Sequence, residues 1–456
     1  MCGKERTHAG SYYPSRKAKR GCETRSIQSL GVGIAISRIV LFNMNKEFEK
    51  ALSHSELRKA AKSCRKGVNH KDSVKKYDLT KLLSNERLAR EIREGTYSIS
   101  PYAEFTITEP KIRHIEASKY RDRVWQRSMT ENGVRKYMEK SFIYDNGACQ
   151  KNKGTDQAIC RVIYFLQDYY RRHGTNKGYI EHLDIKGYYP NTPHEVAKRV
   201  VRERLPVPEF ADHVCMIIDS CKDRRPSEEI EADPFGPRGI LLGSEIMQVV
   251  QLSIPDKIDH YIKEELKMKY YIRFNDDFLT IHQDKEKVEE ASVFIKEELK
   301  KLGLQAVSKG GITPLNKPFK YLRKRFILTD TGKVIIRLDQ KEPGRERRRL
   351  QKMKKKLDEG TITMDAIRIH YQDWSASASK CTADGMLRKM DKYYAELFNE
   401  APGRRKNMRI LDLKEQIKEE RKKNEELREE SLRTEAITSY NIMMGNLEDP
   451  EEEDDE

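Results

Sequence analysis

The chain has 456 residues, a length that is enough for two or three domains with a sizeable core. Hydrophobic residues make up 37% and charged residues 36%, a composition that excludes a largely membrane-embedded protein. The net charge is +16, and the last ten residues, LEDPEEEDDE, hold eight acids, so the rest of the chain carries about +24. A charge of this size predicts a polyanionic partner such as nucleic acid. The alternative is a lysine-rich surface that serves solubility.

The eight cysteines are scattered and form no C-x-x-C pair, so we expect neither a zinc site nor a disulfide framework, and a reducing cytoplasm fits. The longest apolar run, LGVGIAISRIVLF at 30–42, contains Arg38 and is shorter than the roughly 20 residues of a membrane span. We therefore predict no membrane segment. A well-patterned helix begins at Met44, and residues 1–43 are an upstream extension or the result of a misplaced start.

Secondary-structure patterns alternate between helices and strands along the chain. Helical spacing and capping residues predict helices over 45–95, 155–172 from a Thr cap, 192–205, one long helix after a loop within 237–266, 285–302, 342–400 and 413–432. Alternating patterns predict strands over 105–110 and 179–185, and hairpins over 270–281 and 324–338. This order predicts a mixed α+β fold followed by a basic all-helical module. The acidic end is expected to be disordered.

The hairpin YYIRFNDDFLTI places two adjacent carboxylates, Asp276 and Asp277, between runs of β-formers. Like charges in an apolar hairpin repel and cost desolvation, so either they lie in an exposed turn, which Asn-Asp favours, or a positive group compensates them. Asp184 ends a separate strand, YIEHLDI, just before a turn. Strand-end carboxylates from distant segments could converge on Mg²⁺, which prefers oxygen ligands and suits two-metal phosphoryl transfer.

Five segments share their order and spacing with a known set of motifs: HLDIKGYYPN, GILLGSEIMQ, YIRFNDDF, LGLQAVSKGG and FKYLRKRFILTDTGKV. They resemble the palm motifs of reverse transcriptases, and more narrowly those of prokaryotic enzymes of group II introns, diversity-generating retroelements and defence-associated groups. Upstream segments, including NGACQKNKGTDQAI, resemble the fingers, and RRLQKMKKKLDEGTITMDAIRIHYQDWSASAS resembles the helical thumb. The resemblance covers about residues 45–400.

The resemblance implies a right-hand polymerase in which an antiparallel sheet flanked by helices forms the palm. The domains that it implies are N-terminal helices and fingers at 44–178, a palm at 179–340 (fingers and palm together 95–340), a helical thumb at 341–400, and a charged helix with a disordered acidic tail at 401–456.

The resemblance also implies site residues. Asp184 and Asp276 would hold two Mg²⁺ ions, or Mn²⁺, with help from the Ile185 carbonyl, and Asp277 would complete the acidic pair. Lys309 would protonate the leaving pyrophosphate, unless it is a solvated turn lysine. The nucleotide-binding residues would be Lys111, Arg113, Lys151, Tyr189 (a gate against a 2′-hydroxyl, or a core residue), Gly243 and Gln248. Primer and template contacts would come from Arg323, Lys324, Arg325 and Trp374.

Several positions depart from the family pattern. Phe274 replaces the usual tyrosine before the acidic pair, and Met247 stands where serine is frequent. The primer-grip segment has no glycine and carries three cations at 323–325. Trp374 is kept, but the positions after it read SASAS. These departures indicate a specialised polymerase with its own template or priming mode.

The expected function is an RNA-directed DNA polymerase that makes cDNA from dNTPs on an RNA template, with a cognate non-coding RNA as the expected partner. Its setting would be antiphage defence or a diversity-generating retroelement, and oligomers are possible. The competing hypothesis is a non-catalytic, maturase-like RNA-binding protein on a polymerase scaffold. The carboxylates argue against that alternative, because a binding-only protein gains nothing from uncompensated acids beside RNA.

Overall fold

The computed structural model of the protein describes residues 46–108 and 112–403. The predicted extension at 1–43, the charged helix at 413–432, the acidic tail and Lys111 lie outside these residues. Within the described ranges, no helix combines the length and the apolar character that crossing a bilayer requires.

The fold is a mixture of helices and antiparallel sheets. The first helical residues described are 46–52. The helices that follow are α1 His54–Cys64, α2 Asp72–Leu79, α3 Lys81–Arg93, α4 Tyr120–Met129, α5 Arg135–Met138, α6 Thr155–His173, α7 Tyr188–Asn191, α8 His194–Arg204, α9 Pro208–Asp219, α10 Ser227–Ala232, α11 Glu245–Ser253, α12 Asp256–Glu264, α13 Lys285–Lys301, α14 Glu342–Asp358, α15 Met364–Ser379 and α16 Asp384–Phe398. A π-helical turn, Thr130–Val134, joins α4 to α5. The strands are β1 Ala103–Ile107, β2 Arg113–Ala117, β3 Tyr179–Ile185, β4 Tyr270–Phe274, β5 Asp277–His282, β6 Ala306–Ser308, β7 Thr313–Pro314, β8 Phe319–Tyr321, β9 Lys324–Leu328 and β10 Val334–Leu338.

The central sheet has the strand order β4-β5-β3-β6, and β7 also pairs with β3. All of its pairings are antiparallel. Helix α13, which the sequence predicts over 285–302, packs on this sheet through a buried face that includes Val288, Ser292, Ile295 and Leu299. The helix ends before Gly303, whose left-handed φ of 70° suits a glycine at this position. The sheet and its helices therefore form a rigid support for the ends of β3 and β5.

The C-terminal helices α14–α16 enclose a core of their own around Leu350, Ile367 and Tyr371. A second sheet, with the order β10-β9-β8, contacts this module. The link between α15 and α16 is fixed to that sheet, because the Thr382 N–H donates to the Ile336 carbonyl at 2.7 Å. The all-helical module expected at 342–400 is thus present and docked.

Two local predictions are wrong. The long helix expected within 237–266 is two helices, α11 and α12, because Pro255 lacks an N–H and its ring opposes continuation of a helix. Thr155 is the first helical residue of α6 and not its cap. The N-cap is Gly154, which supplies no side-chain hydrogen bond.

Candidate metal centre

Three aspartates meet where β3 ends and the β4–β5 hairpin turns. Asp184 and Asp277 are directly paired residues of the antiparallel strands β3 and β5. Asp276 lies in the two-residue turn of the hairpin with Asn275, whose left-handed φ of 58° is one that asparagine tolerates better than most residues. One carboxylate oxygen from each aspartate can be chosen so that all three lie within 4.8 Å of one another. The convergence expected from the sequence is therefore observed.

A backbone hydrogen bond joins the two acidic segments. The N–H of Ile185 donates to the carbonyl of Asp276 at 3.0 Å, so the turn is attached to the end of β3. The Ile185 side chain is buried in the main core. This bond fixes the distance between Asp184 and the acidic turn through the main chain.

Lys309 lies between two of the carboxylates. Its Nζ is 2.9 Å from Asp184 Oδ1 and 2.5 Å from Asp277 Oδ1. The backbone N–H of Lys309 donates to the His182 carbonyl at 2.8 Å, which holds this lysine beside β3. Lys309 is exposed, yet its ammonium group forms ion pairs with both carboxylates.

His182 is a site residue that the sequence analysis missed. Its Nε2 lies 2.8 Å from Asp277 Oδ1, the same oxygen that Lys309 contacts. The ring makes an edge contact with Tyr321 at 5.5 Å between centroids. His182 therefore connects the acidic pair to the second sheet.

The carboxyl groups of the cluster differ in the direction of their pKa shifts. Burial, followed by the nearby charges of Asp277 and Asp184, raises the pKa of Asp276 to about 6. Burial also opposes ionisation of Asp277, but hydrogen bonds from His182 and Lys309 outweigh it and lower the pKa of that carboxyl. Burial opposes the charge on Lys309, yet its two carboxylate partners raise its pKa. The cluster thus holds excess negative charge that a bound cation would relieve.

A buried ion pair at the hairpin stabilises its turn. Arg273 is fully buried in β4, and its Nη2 lies 2.6 Å from Asp259 Oδ2. The same guanidinium donates from Nη1 to the Asn275 carbonyl at 3.1 Å and from Nη2 to the Leu252 carbonyl at 2.8 Å. Arg273 interrupts an otherwise apolar strand, and this was the available sequence signal for such a support.

Four of the residues expected to bind nucleotide differ in their exposure and chain position. Tyr189 is half-buried, and its pKa is raised chiefly by burial, with smaller effects from Cys149, Asn275, Asp276 and Arg113. Gly243 is exposed, with a left-handed φ of 96°, and Gln248 is half-buried on α11. Lys151 is exposed in the loop before α6.

The residues expected to contact primer and template lie in different environments. Arg323 is exposed and shares the β8–β9 turn with Leu322, both with left-handed φ values of 62° and 46°, where a glycine would be unstrained. Arg325 is half-buried. Lys324 is buried, and its Nζ donates to the Ser377 carbonyl at 3.1 Å, so it anchors α15. Trp374 is half-buried and stacks on Tyr371 within the helical module.

Comparisons with known proteins give limited similarity. No protein-family model and no curated protein match the chain. It is similar to apo telomerase from Candida tropicalis truncated from its C-terminal domain, with 15% identity over 53% of this chain and 56% of that chain and a TM-score of 0.36. It is similar to telomerase from Candida albicans in complex with a TWJ fragment of telomeric RNA, with 10% identity over 56% and 51% and a TM-score of 0.39. The Sicinivirus 3Dpol RNA-dependent RNA polymerase has 12% identity over 56% and 57% and a TM-score of 0.33.

The chain spans about half the length of these three structures. Similarity of this extent carries no argument about activity. The geometry of the carboxylate cluster is therefore the basis for a functional proposal.

Proposed function

We propose that the protein is a metal-dependent nucleotidyltransferase of the polymerase class. More specifically, it is an RNA-directed DNA polymerase that makes cDNA from dNTPs. The observation that carries the proposal is the meeting of Asp184, Asp276 and Asp277, each able to offer an oxygen within a 4.8 Å cluster. The sequence resemblance to reverse transcriptases supports the finer assignment.

The three carboxylates suit Mg²⁺, and Mn²⁺ as a substitute, because they are hard oxygen donors that repel one another without a cation. Two bound ions supply charge that lowers the pKa of an attacking 3′-hydroxyl and neutralises a leaving pyrophosphate. Asp184 and Asp276 would hold these ions, with the Ile185 carbonyl and Asp277 completing the site. Lys309, already beside two of the carboxylates, would give a proton to the departing group.

In the proposed layout, residues 44–178 are the N-terminal helices and fingers, 179–340 the palm and 341–400 the thumb. Tyr189 would lie under the sugar of the incoming nucleotide. Exposed cations of the fingers and thumb would hold the RNA template, for which a cognate non-coding RNA is our candidate. We place this activity in the cytoplasm, in antiphage defence or a diversity-generating retroelement, where association into oligomers is possible.

The test is primer extension by the purified full-length protein with its co-purifying RNA, dNTPs and Mg²⁺. Wild-type protein should make DNA, and Asp276→Asn with Asp277→Asn should lower incorporation about a thousandfold or more because the metal loses two charged ligands. Asp373→Asn, an exposed change on α15, is the matched control and should leave incorporation unaltered. Equal incorporation by wild type and the double variant would refute the proposal.

One observation favours a second candidate, a non-catalytic RNA-binding protein. Lys309 already neutralises part of the charge of Asp184 and Asp277 without a metal. On this hypothesis, salt-sensitive RNA binding survives replacement of all three aspartates by asparagine, and no nucleotide is incorporated by any form of the protein. Incorporation that disappears with the aspartates excludes this candidate.

A further inference from the structure

A cavity on the N-terminal helices has walls of a single charge sign. It has a volume of about 330 Å³ and lies between α1 and the start of α3. The residues that line it are Arg58, Lys59, Lys62, Arg65 and Lys81. The carboxylate cluster shares none of these residues, so the cavity is a separate site.

Acidic residues compensate this charge only in part. Asp78 lies 3.3 Å from Arg65 and 2.9 Å from Lys81, and Glu56 lies 2.6 Å from Lys59. Arg58 and Lys62 are exposed, and the described part of the chain gives neither an acidic partner. Five cations thus face two acids, and the cavity suits an anionic occupant.

Three exposed leucines lie near the lining residue Lys81 in the chain. Leu79, Leu82 and Leu83 are 86%, 68% and 74% exposed and lie within two residues of the lining Lys81. Three neighbouring leucines in water are costly, and they offer nothing to a phosphate backbone. The combined surface therefore fits an occupant that carries apolar residues beside a run of acids.

We infer that this surface, the cavity together with the three leucines, binds the C-terminal segment 440–456 of the same chain. That segment begins with the apolar run YNIMMGNL at 440–447 and continues with EDPEEEDDE at 448–456, which contains eight acids. Its acids match the charge of the cationic cavity, and its apolar residues match the exposed leucines near Lys81 in the chain. The inference does not depend on the proposed polymerase activity.

Chain length permits this contact. The 36 residues at 404–439 separate the last described residue from the segment. They would span about 120 Å when extended and about 54 Å even as one helix. A domain of this size is roughly 50 Å across, so the segment reaches any face of it.

The N-terminal stretch is a weaker candidate for the same surface. Its apolar run at 30–42 could cover the leucines, but residues 1–29 carry seven lysines and arginines against two glutamates. The cavity would repel this basic stretch. The acidic segment satisfies both halves of the surface, and occupation would keep nucleic acid away from these cations.

The experiment uses nuclease-treated full-length protein at low concentration, with a photo-crosslinking phenylalanine analogue in place of Ile442. Irradiation should join this position to peptides from residues 54–93 of the same chain. Arg58→Glu with Lys62→Glu should lower the yield about fivefold or more, since two attractive charge contacts become repulsive. Adding Glu451→Lys, Glu452→Lys and Glu453→Lys should restore it. Mass spectrometry identifies the joined peptides.

Lys71→Glu with Arg87→Glu is the matched control, because both residues are exposed in the same N-terminal region, Lys71 before α2 and Arg87 on α3, and neither lines the cavity. It should keep the wild-type yield. The inference is overturned if the crosslinks fall on residues 1–45, on 342–398 or on a second chain, or if the control lowers the yield as much as the test pair. Crosslinking is measured without nucleotides, so its failure is independent of any loss of polymerase activity.

Discussion

Lys309 is the residue whose position says most about the candidate site. Its ammonium group contacts two carboxylates that would also be ligands of a metal ion. A metal ion and the lysine ammonium would compete for the same carboxylate oxygens. The ammonium would therefore have to move away when the ion binds. The released ammonium would then be beside the reacting phosphates.

This competition gives a first prediction. Lys309→Met should lower the maximal incorporation rate about a hundredfold or more, because the leaving group loses its proton donor. The Mg²⁺ concentration at half-maximal rate should fall or stay constant, since the ammonium no longer competes for Asp184 and Asp277. Mg²⁺ titrations of primer extension measure both quantities.

Lys317→Met changes an exposed lysine near the same strands and serves as the control. A higher Mg²⁺ requirement at an unchanged maximal rate would instead mean that Lys309 organises the metal site and does not donate the proton.

The sequence predicted the three aspartates of the site but not the residues that contact them. Asp184 and the Asp276–Asp277 pair stood out because carboxylates rarely follow β-formers without a reason. His182 was missed because its contact depends on strand register. Asp184 pairs with Asp277, so His182, two residues earlier on the same face of β3, becomes a diagonal neighbour of Asp277. Register is not readable from either strand alone.

At the level of elements, the contact between α4 and α9 contains a histidine that must stay neutral. Trp125 Nε1 donates to His213 Nδ1 at 3.4 Å, and an indole N–H can only donate, so that ring nitrogen accepts. Phe48 stacks on the same imidazole at 5.8 Å. Burial lowers the pKa of His213 to about 4, and Asp212 opposes the shift only weakly.

The sign of the resulting pH dependence follows from these values. The unfolded chain binds a proton at His213 near pH 6.5 and the folded chain only near pH 4, so stability from this group is complete above pH 6.5 and is lost as the pH falls toward 4. His213→Phe keeps a ring and removes the titration. The stability of wild type relative to this variant should therefore fall by about 1–2 kcal/mol between pH 7.5 and pH 5.

Urea unfolding at the two pH values measures this difference. His70→Phe, at an exposed histidine, should show no such change. A wild-type advantage over His213→Phe that is the same at both pH values would contradict the assignment of a half-buried, neutral histidine.

The boundaries of the helices show which parts of the fold can be predicted from sequence patterns. The buried face of α13 was predictable because apolar spacing reports directly on burial. Pro255 could have predicted the division of 237–266 into two helices. The helical periodicity on both sides of the proline instead favoured one continuous helix. The contact between Lys324 and α15 could not be predicted from the sequence, because it joins a lysine on a strand to a backbone carbonyl 53 residues away.

At the scale of the whole molecule, the C-terminal helices form a separate hydrophobic core. Leu350 is fully buried in that core, whereas Leu299 belongs to the main core around the central sheet. The polar contacts that join the module to the rest include the Lys380–Asp156 ion pair at 2.5 Å and the bond from Lys324 to Ser377. Contacts of this kind let a module open before the main core does.

Leu350→Ala should therefore lower the free energy of opening of residues 342–398 by about 2–5 kcal/mol and leave the central sheet protected. Hydrogen exchange with peptide-level mass spectrometry measures both regions in one experiment. Leu299→Ala is the counterpart, and it should reduce protection in the sheet. Equal loss of protection everywhere in the Leu350→Ala protein would mean that the two cores unfold as one unit.

The left-handed backbone of Asn275 has a consequence for how this hairpin can vary by mutation. Single-nucleotide changes convert an asparagine codon to aspartate, threonine, isoleucine and several others, but glycine, which tolerates the conformation best, needs more than one change. Branched residues are strained at this φ, and aspartate would put a further negative charge next to Asp276 and Asp277. Several of the replacements that one nucleotide change supplies are thus disfavoured at this turn, either by backbone strain or by added charge.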